Sequence, residues 1–120
     1  NDKLIIADYK ATSKKGDVAI DAPWQISYKR QIEIYQWLFR QNGFDVDDMS
    51  YFVYCNGIKD SKVFNNCLNF EVKILPYKAN DSWVTPALEE IKDCLDSDEL
   101  PKESDRCDYC AYNRKIKLFS

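Results

Sequence analysis

Two charged side chains at the end of an apolar run are the first candidates for chemistry in this sequence. Asp8 and Lys10 follow the uninterrupted residues Leu-Ile-Ile-Ala at positions 4–7. In a β-strand, residues two apart point to the same face, so this carboxylate and this ammonium would lie side by side. A carboxylate can hold a divalent cation, and an adjacent ammonium can stabilise a developing anion or orient a water molecule.

The same pair also has a structural interpretation. Asp-x-Lys is a common tripeptide, and on an arbitrary strand it forms a surface ion pair worth about 0–1 kcal/mol. Its position directly after an apolar strand favours a functional role. Burying two charges costs free energy unless they pair with each other or bind something.

A second polar pair lies in a predicted helix. Gln31 and Tyr35 are separated by four residues, so their amide and phenol groups would project together from one helix face. The structural alternative places Gln31 at the rim of the core and lets the Tyr35 hydroxyl reach water.

The elements that must position these side chains follow from the apolar pattern. Residues Leu4–Lys10 predict a central strand that is covered on both faces. After a loop over residues 11–22, the pattern predicts a helix from about Pro23 to Asn42. Asp21 is its candidate N-cap and Gly43 its C-terminal stop.

One face of this helix is predicted to pack on the sheet, because its mostly apolar residues recur at spacings of three and four. That face comprises Trp24, Tyr28, Gln31, Tyr35 and Leu38, widened by Ile32 and Phe39.

The middle of the chain predicts two more strands. Residues 51–55 form a second uninterrupted apolar run, which is typical of a buried strand. Asn56-Gly57 predicts the turn of a loose hairpin whose polar connection covers residues 58–66. Residues 70–74 alternate apolar with charged residues and predict a half-exposed strand near an edge, which ends at Pro76.

The last third of the chain predicts a helix and a polar tail. The helix begins near Asp81 or Thr85, with Pro86 in its first turn. Residues 96–120 form a linker and a tail that contains a Cys-x-x-Cys pair. The predicted buried stripe of the helix is Val84, Leu88, Ile91 and Leu95.

Two clusters of charged residues are most simply interpreted as solvent-exposed faces. The acidic one lies in the connector 44–50 and lacks the glycine and distal glutamate of an EF-hand loop. The basic one could also form a local groove for nucleic acid, although the net charge of −3 gives no global attraction to it. The acidic cluster is Asp45, Asp47 and Asp48, and the basic one is Lys10, Lys14, Lys15, Lys29 and Arg30.

Composition narrows the class of protein. A hydrophobic content of 45%, with three Trp and eight Tyr, indicates one globular domain over residues 1–120. No apolar stretch approaches the ~20 residues of a membrane span. Five Cys and no secretory signal favour a reduced cytoplasmic setting. The absence of His excludes His-based nucleophilic triads and most catalytic zinc sites. The chain starts at Asn1 and has Met49 as its one Met, which suggests a fragment or a processed product.

Taken together, these motifs resemble the RecB-like branch of the PD-(D/E)xK nuclease superfamily. The resemblance rests on a strand ending in Asp8-Tyr9-Lys10, a loop, and a helix with Gln31-x-x-x-Tyr35. The C-terminal pattern from Trp83 to the Cys-x-x-Cys-x-Tyr motif at 107–112 is also similar. The resemblance as a whole implies an α/β, partial restriction-endonuclease-like fold with a mixed sheet of about three strands flanked by helices.

The resemblance also implies roles in phosphodiester hydrolysis with Mg²⁺ or Mn²⁺. Asp8 and the main-chain carbonyl of Tyr9 would be metal ligands. Lys10 would orient the attacking water or stabilise charge in the transition state, and Gln31 would help to fix the metal and Lys10. Tyr35 would contact the DNA strand, single-stranded or at a duplex end.

Lys14 and Arg30 are also expected to contact the substrate. Both residues belong to the basic cluster and lie near the implied site in sequence. A helicase or another protein is an expected partner, and no binding to a membrane is expected.

Two departures from the family pattern matter. The family has a further acidic ligand on the preceding strand, whereas only residues 1–3 precede the strand here. We therefore expect the domain to be truncated, the parent protein to be an active nuclease and this chain alone to be inactive. Some members of the branch also hold a [4Fe–4S] cluster. Cys107 and Cys110 match two of its ligands, but Ile116 stands where another is expected, which implies a vestigial or structural pair instead of a bound cluster or Zn²⁺.

Two other functions stay open at the level of sequence. A catalytically inactive nuclease fold could bind DNA or a protein partner. A small α/β interaction module with a metal-binding tail is the third interpretation, although the chain has one Cys-x-x-Cys pair where a zinc ribbon has two.

Overall fold

The computed structural model describes residues 2–60, 62–63 and 66–118. The chain divides into two compact units, Asn1–Val84 and Thr85–Ser120, and each is described by itself. Helix α2 (Val84–Asp96) begins at the last residue of the first unit and continues in the second, which also contains α3 (Asp108–Ile116). The first unit contains β1 (Ala7–Thr12), a 3₁₀ turn (Pro23–Gln25), α1 (Ile26–Gln41), β2 (Met49–Gly57) and β3 (Phe70–Lys78).

The sheet of the first unit is mixed, with the strand order β1-β2-β3. β1 runs parallel to β2, with Ala7 opposite Tyr51, and β3 runs antiparallel to β2. Parallel neighbours need a crossover connection, and α1 lies in that connection. Three strands and three helices in the described residues confirm the predicted α/β class.

The first strand differs from its prediction in both extent and place. It begins at Ala7, and in the described sheet it is an edge strand, whereas β2 is central. Leu4 instead forms an isolated bridge with Val46, and both Leu4 and Ile5 are exposed. Of the run at positions 4–7, Ile6 is buried and Ala7 is exposed as well, so the apolar run predicted neither the burial of the segment nor the number of its neighbouring strands.

Helix α1 confirms the predicted helix and its stop at Gly43, but the predicted N-cap was wrong. Gly43 follows the helix with φ +83°, a conformation that glycine adopts without strain. Asp21 does not cap the N-terminus and instead pairs with Lys29, 3.3 Å away. The residue that precedes the 3₁₀ turn is Ala22, whose N–H donates to the Gln25 side-chain oxygen at 2.9 Å.

The predicted packing face of α1 was right for Ile32 and Tyr28, which belong to or pack against the core, and wrong for most of its other members. Ile32, Glu33 and Gln36 are buried in this helix, whereas Trp24, Tyr35, Leu38 and Phe39 are exposed. The buried face includes polar residues because Glu33 accepts hydrogen bonds from side chains and the Gln36 amide nitrogen donates them. Gln36 is fully buried, and its amide nitrogen donates to the Asp47 carbonyl and to the Ser50 hydroxyl, both at 2.9 Å.

The hydrophobic core lies between α1 and the sheet. Ile32 from the helix and Phe52 from β2 are both 0% exposed. The other buried members of this cluster are Ile6, Val18, Ile20, Val46, Tyr54 and Ala79.

The hairpin of β2 and β3 corrects two further predictions. Asn56 and Gly57 do not form the turn but are the last residues of β2, and the connection starts at Ile58. Residues 61, 64 and 65 of the predicted polar connection lie outside the described residues. β3 does not stop at Pro76 but continues to Lys78, because an edge strand tolerates a residue without an N–H.

The predicted C-terminal helix exists, but most of its predicted stripe is not buried. Pro86 lies in the first turn of α2, as expected. Val84 is buried, whereas Leu88, Ile91 and Leu95 are exposed. The second unit also has α3, which the sequence did not predict, and residues 119–120 of the predicted tail lie outside the described residues. Within the part of the chain that the structure describes, no helix combines the length and apolar character needed to cross a bilayer.

A carboxylate on α1 connects the helix to β3 and to the segment after it. Glu33 is 8% exposed. One of its oxygens accepts from the Tyr77 hydroxyl at 2.6 Å, and the other accepts from the Trp83 indole N–H at 2.7 Å. Burial, followed by the hydrogen bond to Glu33, raises the pKa of Tyr77 far above its usual value.

This arrangement predicts a loss of stability in alkali. The unfolded chain releases the Tyr77 proton near pH 10, whereas the folded chain keeps it to higher pH. The contribution is therefore complete below about pH 10 and declines as the pH rises towards the folded pKa. Urea unfolding between pH 8 and pH 11 should show a shallower decline for Tyr77→Phe than for the wild type. The exposed Tyr109→Phe is the control, and equal declines for all three proteins would contradict the assignment.

Candidate active site

Asp8 and Lys10 lie on the same face of β1, as their spacing predicts. The Lys10 Nζ atom is 2.7 Å from Asp8 Oδ2, and the two side chains are only 17% and 13% exposed, respectively. The buried Oδ2 atom is therefore held in a short ion pair by the ammonium. A buried carboxylate oxygen of this kind retains a lone pair for another partner.

Helix α1 supplies the second partner of Lys10. The Lys10 ammonium donates to Gln31 Oε1 at 2.9 Å, and Gln31 Nε2 donates to the Tyr35 hydroxyl at 2.7 Å. An ammonium can only donate, so this contact fixes which end of the Gln31 amide faces it. The Tyr35 oxygen then accepts from Gln31, which leaves the hydroxyl proton free for another acceptor.

An aromatic ring that the sequence placed only in the packing face also belongs to this site. Lys10 Nζ lies 4.3 Å from the centre of the Tyr28 ring, a distance at which the ring attracts the cation. The spacing in the sequence could have indicated this position, because Tyr28 precedes Gln31 by about one helical turn and therefore lies on the same helix face.

The peptide between Asp8 and Lys10 offers a further oxygen. Tyr51 donates its backbone N–H to the Ile6 carbonyl at 3.0 Å. Because carbonyls alternate in direction along a strand, those of Asp8 and Lys10 also face β2 and that of Tyr9 points away from it. The Tyr9 ring lies on the opposite face of the sheet, where a hydrogen bond with Cys55 raises its pKa.

These oxygens fit a hard divalent cation. Asp8 Oδ2 is a buried carboxylate oxygen that keeps a lone pair beside its ion pair with Lys10, and the Tyr9 carbonyl belongs to the same strand. In residues 2–60, 62–63 and 66–118, no group of three or more acidic, Cys or His side chains could hold a metal. Mg²⁺ tolerates such a sparse set, because it usually retains waters and binds one or two carboxylates together with substrate phosphates.

Of the two predicted basic contacts, the structure brings one towards this site. Arg30 lines a shallow depression of about 360 Å³ together with Gln31 and Tyr35, and its guanidinium lies 5.8 Å from the Trp83 ring. Lys14 lines a separate depression of about 310 Å³. Its backbone N–H and carbonyl are both hydrogen-bonded to the Asn56 side chain.

The predicted cysteine pair lies in the second unit. Cys107 precedes α3 and Cys110 is in its first turn. Hydrogen bonds from the Cys110 backbone N–H and thiol lower the pKa of Cys107, and donating its thiol raises the pKa of Cys110. All five cysteines are free. Within the described residues, this pair belongs to no larger group of metal-ligating side chains.

Comparison with known proteins gives a family but no individual relative. The model of the PD-(D/E)XK nuclease superfamily matches residues 1–114. No curated protein and no solved structure matches the sequence. The match covers nearly the whole chain, including the strand with Asp8 and Lys10 and the helix with Gln31. The chain therefore belongs to the PD-(D/E)XK nuclease superfamily.

Proposed function

We propose that this chain is a metal-dependent DNA nuclease domain of the RecB-like branch, which hydrolyses phosphodiester bonds as an exonuclease. One observation supports this proposal above the others. The Lys10 ammonium lies between the Asp8 carboxylate, 2.7 Å away, and the Gln31 amide oxygen, 2.9 Å away. A fold that needed only stability would rarely place a cation and a carboxylate together in so poorly solvated a position.

Each residue then has a defined task. Asp8 and the Tyr9 carbonyl would hold Mg²⁺ or Mn²⁺, which when bound would supply Lewis-acid stabilisation of the negative charge on the phosphate oxygens. Lys10 orients the attacking water or stabilises the anionic transition state. Gln31 fixes the direction of the Lys10 ammonium. Tyr35 donates its free hydroxyl proton to a phosphate oxygen of the strand.

Peripheral contacts and cellular setting complete the proposal. Arg30, beside Gln31 and Tyr35, and the more distant Lys14 would contact backbone phosphates. A further acidic ligand outside residues 1–120 would complete the metal site. DNA repair, recombination or phage DNA processing would use such an activity, with a helicase or another protein as partner. The free cysteines support a reducing cytoplasmic setting.

The test is Mn²⁺-dependent cleavage of an end-labelled single-stranded oligonucleotide by the longest natural polypeptide that contains residues 1–120. We expect cleavage by the wild type and at least a hundredfold loss in Asp8→Asn. Titration calorimetry should show weaker Mn²⁺ binding by the same variant, because an amide replaces a charged ligand. Asp45→Asn, a change at an exposed surface carboxylate, is the control and should cleave at the wild-type rate.

A second candidate function is DNA or partner binding without catalysis. The sparse donor set around Asp8 favours it, since no group of three or more such ligands exists in the described residues. Absence of cleavage by the wild type with several metals and substrates, combined with retained DNA binding, would favour this candidate over the nuclease.

A further inference from the structure

An exposed tryptophan lies next to the candidate active site. Trp24 is 64% exposed, although indole is among the side chains that gain most from burial. Its ring meets the Tyr28 ring at an interplanar angle of 83° with 5.7 Å between ring centres. In such an edge-to-face contact, Tyr28 leaves at least one face of the indole uncovered.

The backbone beneath Trp24 is held firmly. Trp24 is the middle residue of the 3₁₀ turn, in which Pro23 restricts one backbone dihedral. The neighbouring Gln25 is 2% exposed, and its amide nitrogen donates to the Ala19 carbonyl at 2.7 Å and to the Tyr54 hydroxyl at 3.3 Å. A ligand that binds the indole therefore needs to order little of the surrounding chain.

The indole is also close to the reacting centre. The Tyr28 ring contacts both Trp24, at 5.7 Å, and Lys10 Nζ, at 4.3 Å, so Trp24 lies within about 10 Å of the ammonium. The base of a nucleotide at or next to a phosphate on Lys10 can span this distance. Along the helix, Trp24 and Tyr35 lie on opposite sides of Gln31, the residue that contacts Lys10.

We propose that Trp24 is a stacking platform for an unpaired nucleobase of a DNA strand whose phosphate lies at Lys10. This inference rests on the proposed nuclease function and specifies its substrate as single-stranded DNA or an unpaired end. Indole faces stack on any base, so the platform selects unpaired over paired bases without selecting a sequence. A base within a blunt duplex is already stacked and does not gain this contact.

The experiment measures binding of a labelled single-stranded oligonucleotide by fluorescence anisotropy in EDTA, where hydrolysis does not occur. Trp24→Leu should bind about tenfold more weakly than the wild type, and Trp24→Phe should recover most of the loss because it retains an aromatic face. Phe44→Leu, at an exposed aromatic beyond the other end of α1, should bind as the wild type does. Circular dichroism and thermal unfolding of each variant test whether the fold is retained.

A second measurement locates the stacked base. An abasic nucleotide is placed at each position in turn, and one position should weaken binding about tenfold in the wild type but hardly at all in Trp24→Leu. Equal sensitivity of both proteins at every position, or unchanged affinity of folded Trp24→Leu, would overturn the platform. If those results came with normal Mn²⁺-dependent cleavage, the nuclease function would survive without it. A wild type that neither binds nor cleaves any DNA would overturn both.

Discussion

Replacing Lys10 by alanine should reduce cleavage by about 100- to 1,000-fold. In the proposed function the ammonium would stabilise developing negative charge, and removing one preorganised donor of this kind typically has an effect of that size. Single-turnover cleavage in Mn²⁺ measures the chemical step directly. Binding of the oligonucleotide in EDTA should change much less, since a single phosphate contact contributes only part of the affinity.

Stability must be separated from chemistry in this variant. Lys10→Ala leaves the Asp8 carboxylate, whose side chain is 13% exposed, without its cation. Lys10→Met removes the same cation but keeps most of the side-chain volume, so it should lose less stability than Lys10→Ala while losing cleavage to the same extent. Lys3→Ala removes an exposed surface partner of Asp45 and should cleave normally. Cleavage at the wild-type rate by Lys10→Met would move the chemistry away from this strand.

Replacing Glu33 by alanine should lower the free energy of unfolding by about 3 kcal/mol. The Tyr77 hydroxyl and the Trp83 indole N–H would both lose a charged acceptor, and hydrogen bonds to charged groups contribute about 1.5–3 kcal/mol each. Urea unfolding followed by tryptophan fluorescence gives the difference. Glu33→Gln retains one carbonyl oxygen and should lose less.

An exposed glutamate supplies the matched control for this experiment. Glu90→Ala, in α2, should change stability by less than about 0.5 kcal/mol. A double-mutant cycle with Tyr77→Phe should show coupling between Tyr77 and Glu33. Equal losses for Glu33→Ala and Glu90→Ala would show that the Glu33 contacts do not stabilise the fold.

Local spacing was enough to predict the pairs within one element. Asp8 and Lys10 share a strand face, and Gln31 and Tyr35 share a helix face, because these relations depend only on the repeat of each element. The existence of α1 and its stop at Gly43 followed from the same kind of local pattern.

Contacts between elements could not be predicted in this way. Whether Gln31 meets Lys10, 21 residues away, depends on how α1 is rotated on the sheet. The apolar pattern gave the wrong rotation because Gln36 and Glu33 are buried and form hydrogen bonds with residues distant in sequence. The order of polar and apolar residues along the chain does not show which distant residues will form these hydrogen bonds.

The Gln31 amide also determines which way the hydroxyl proton of Tyr35 points. It accepts at one end and donates at the other, so the proton of the Tyr35 hydroxyl points away from Lys10. A carboxylate of the same shape, as in Gln31→Glu, would accept at both ends. Tyr35 would then turn its proton inward, and the outer edge of the site would present a lone pair where it now presents a donor. The exchange of one NH₂ for one oxygen would thus reverse the sign of the group that an approaching phosphate meets first.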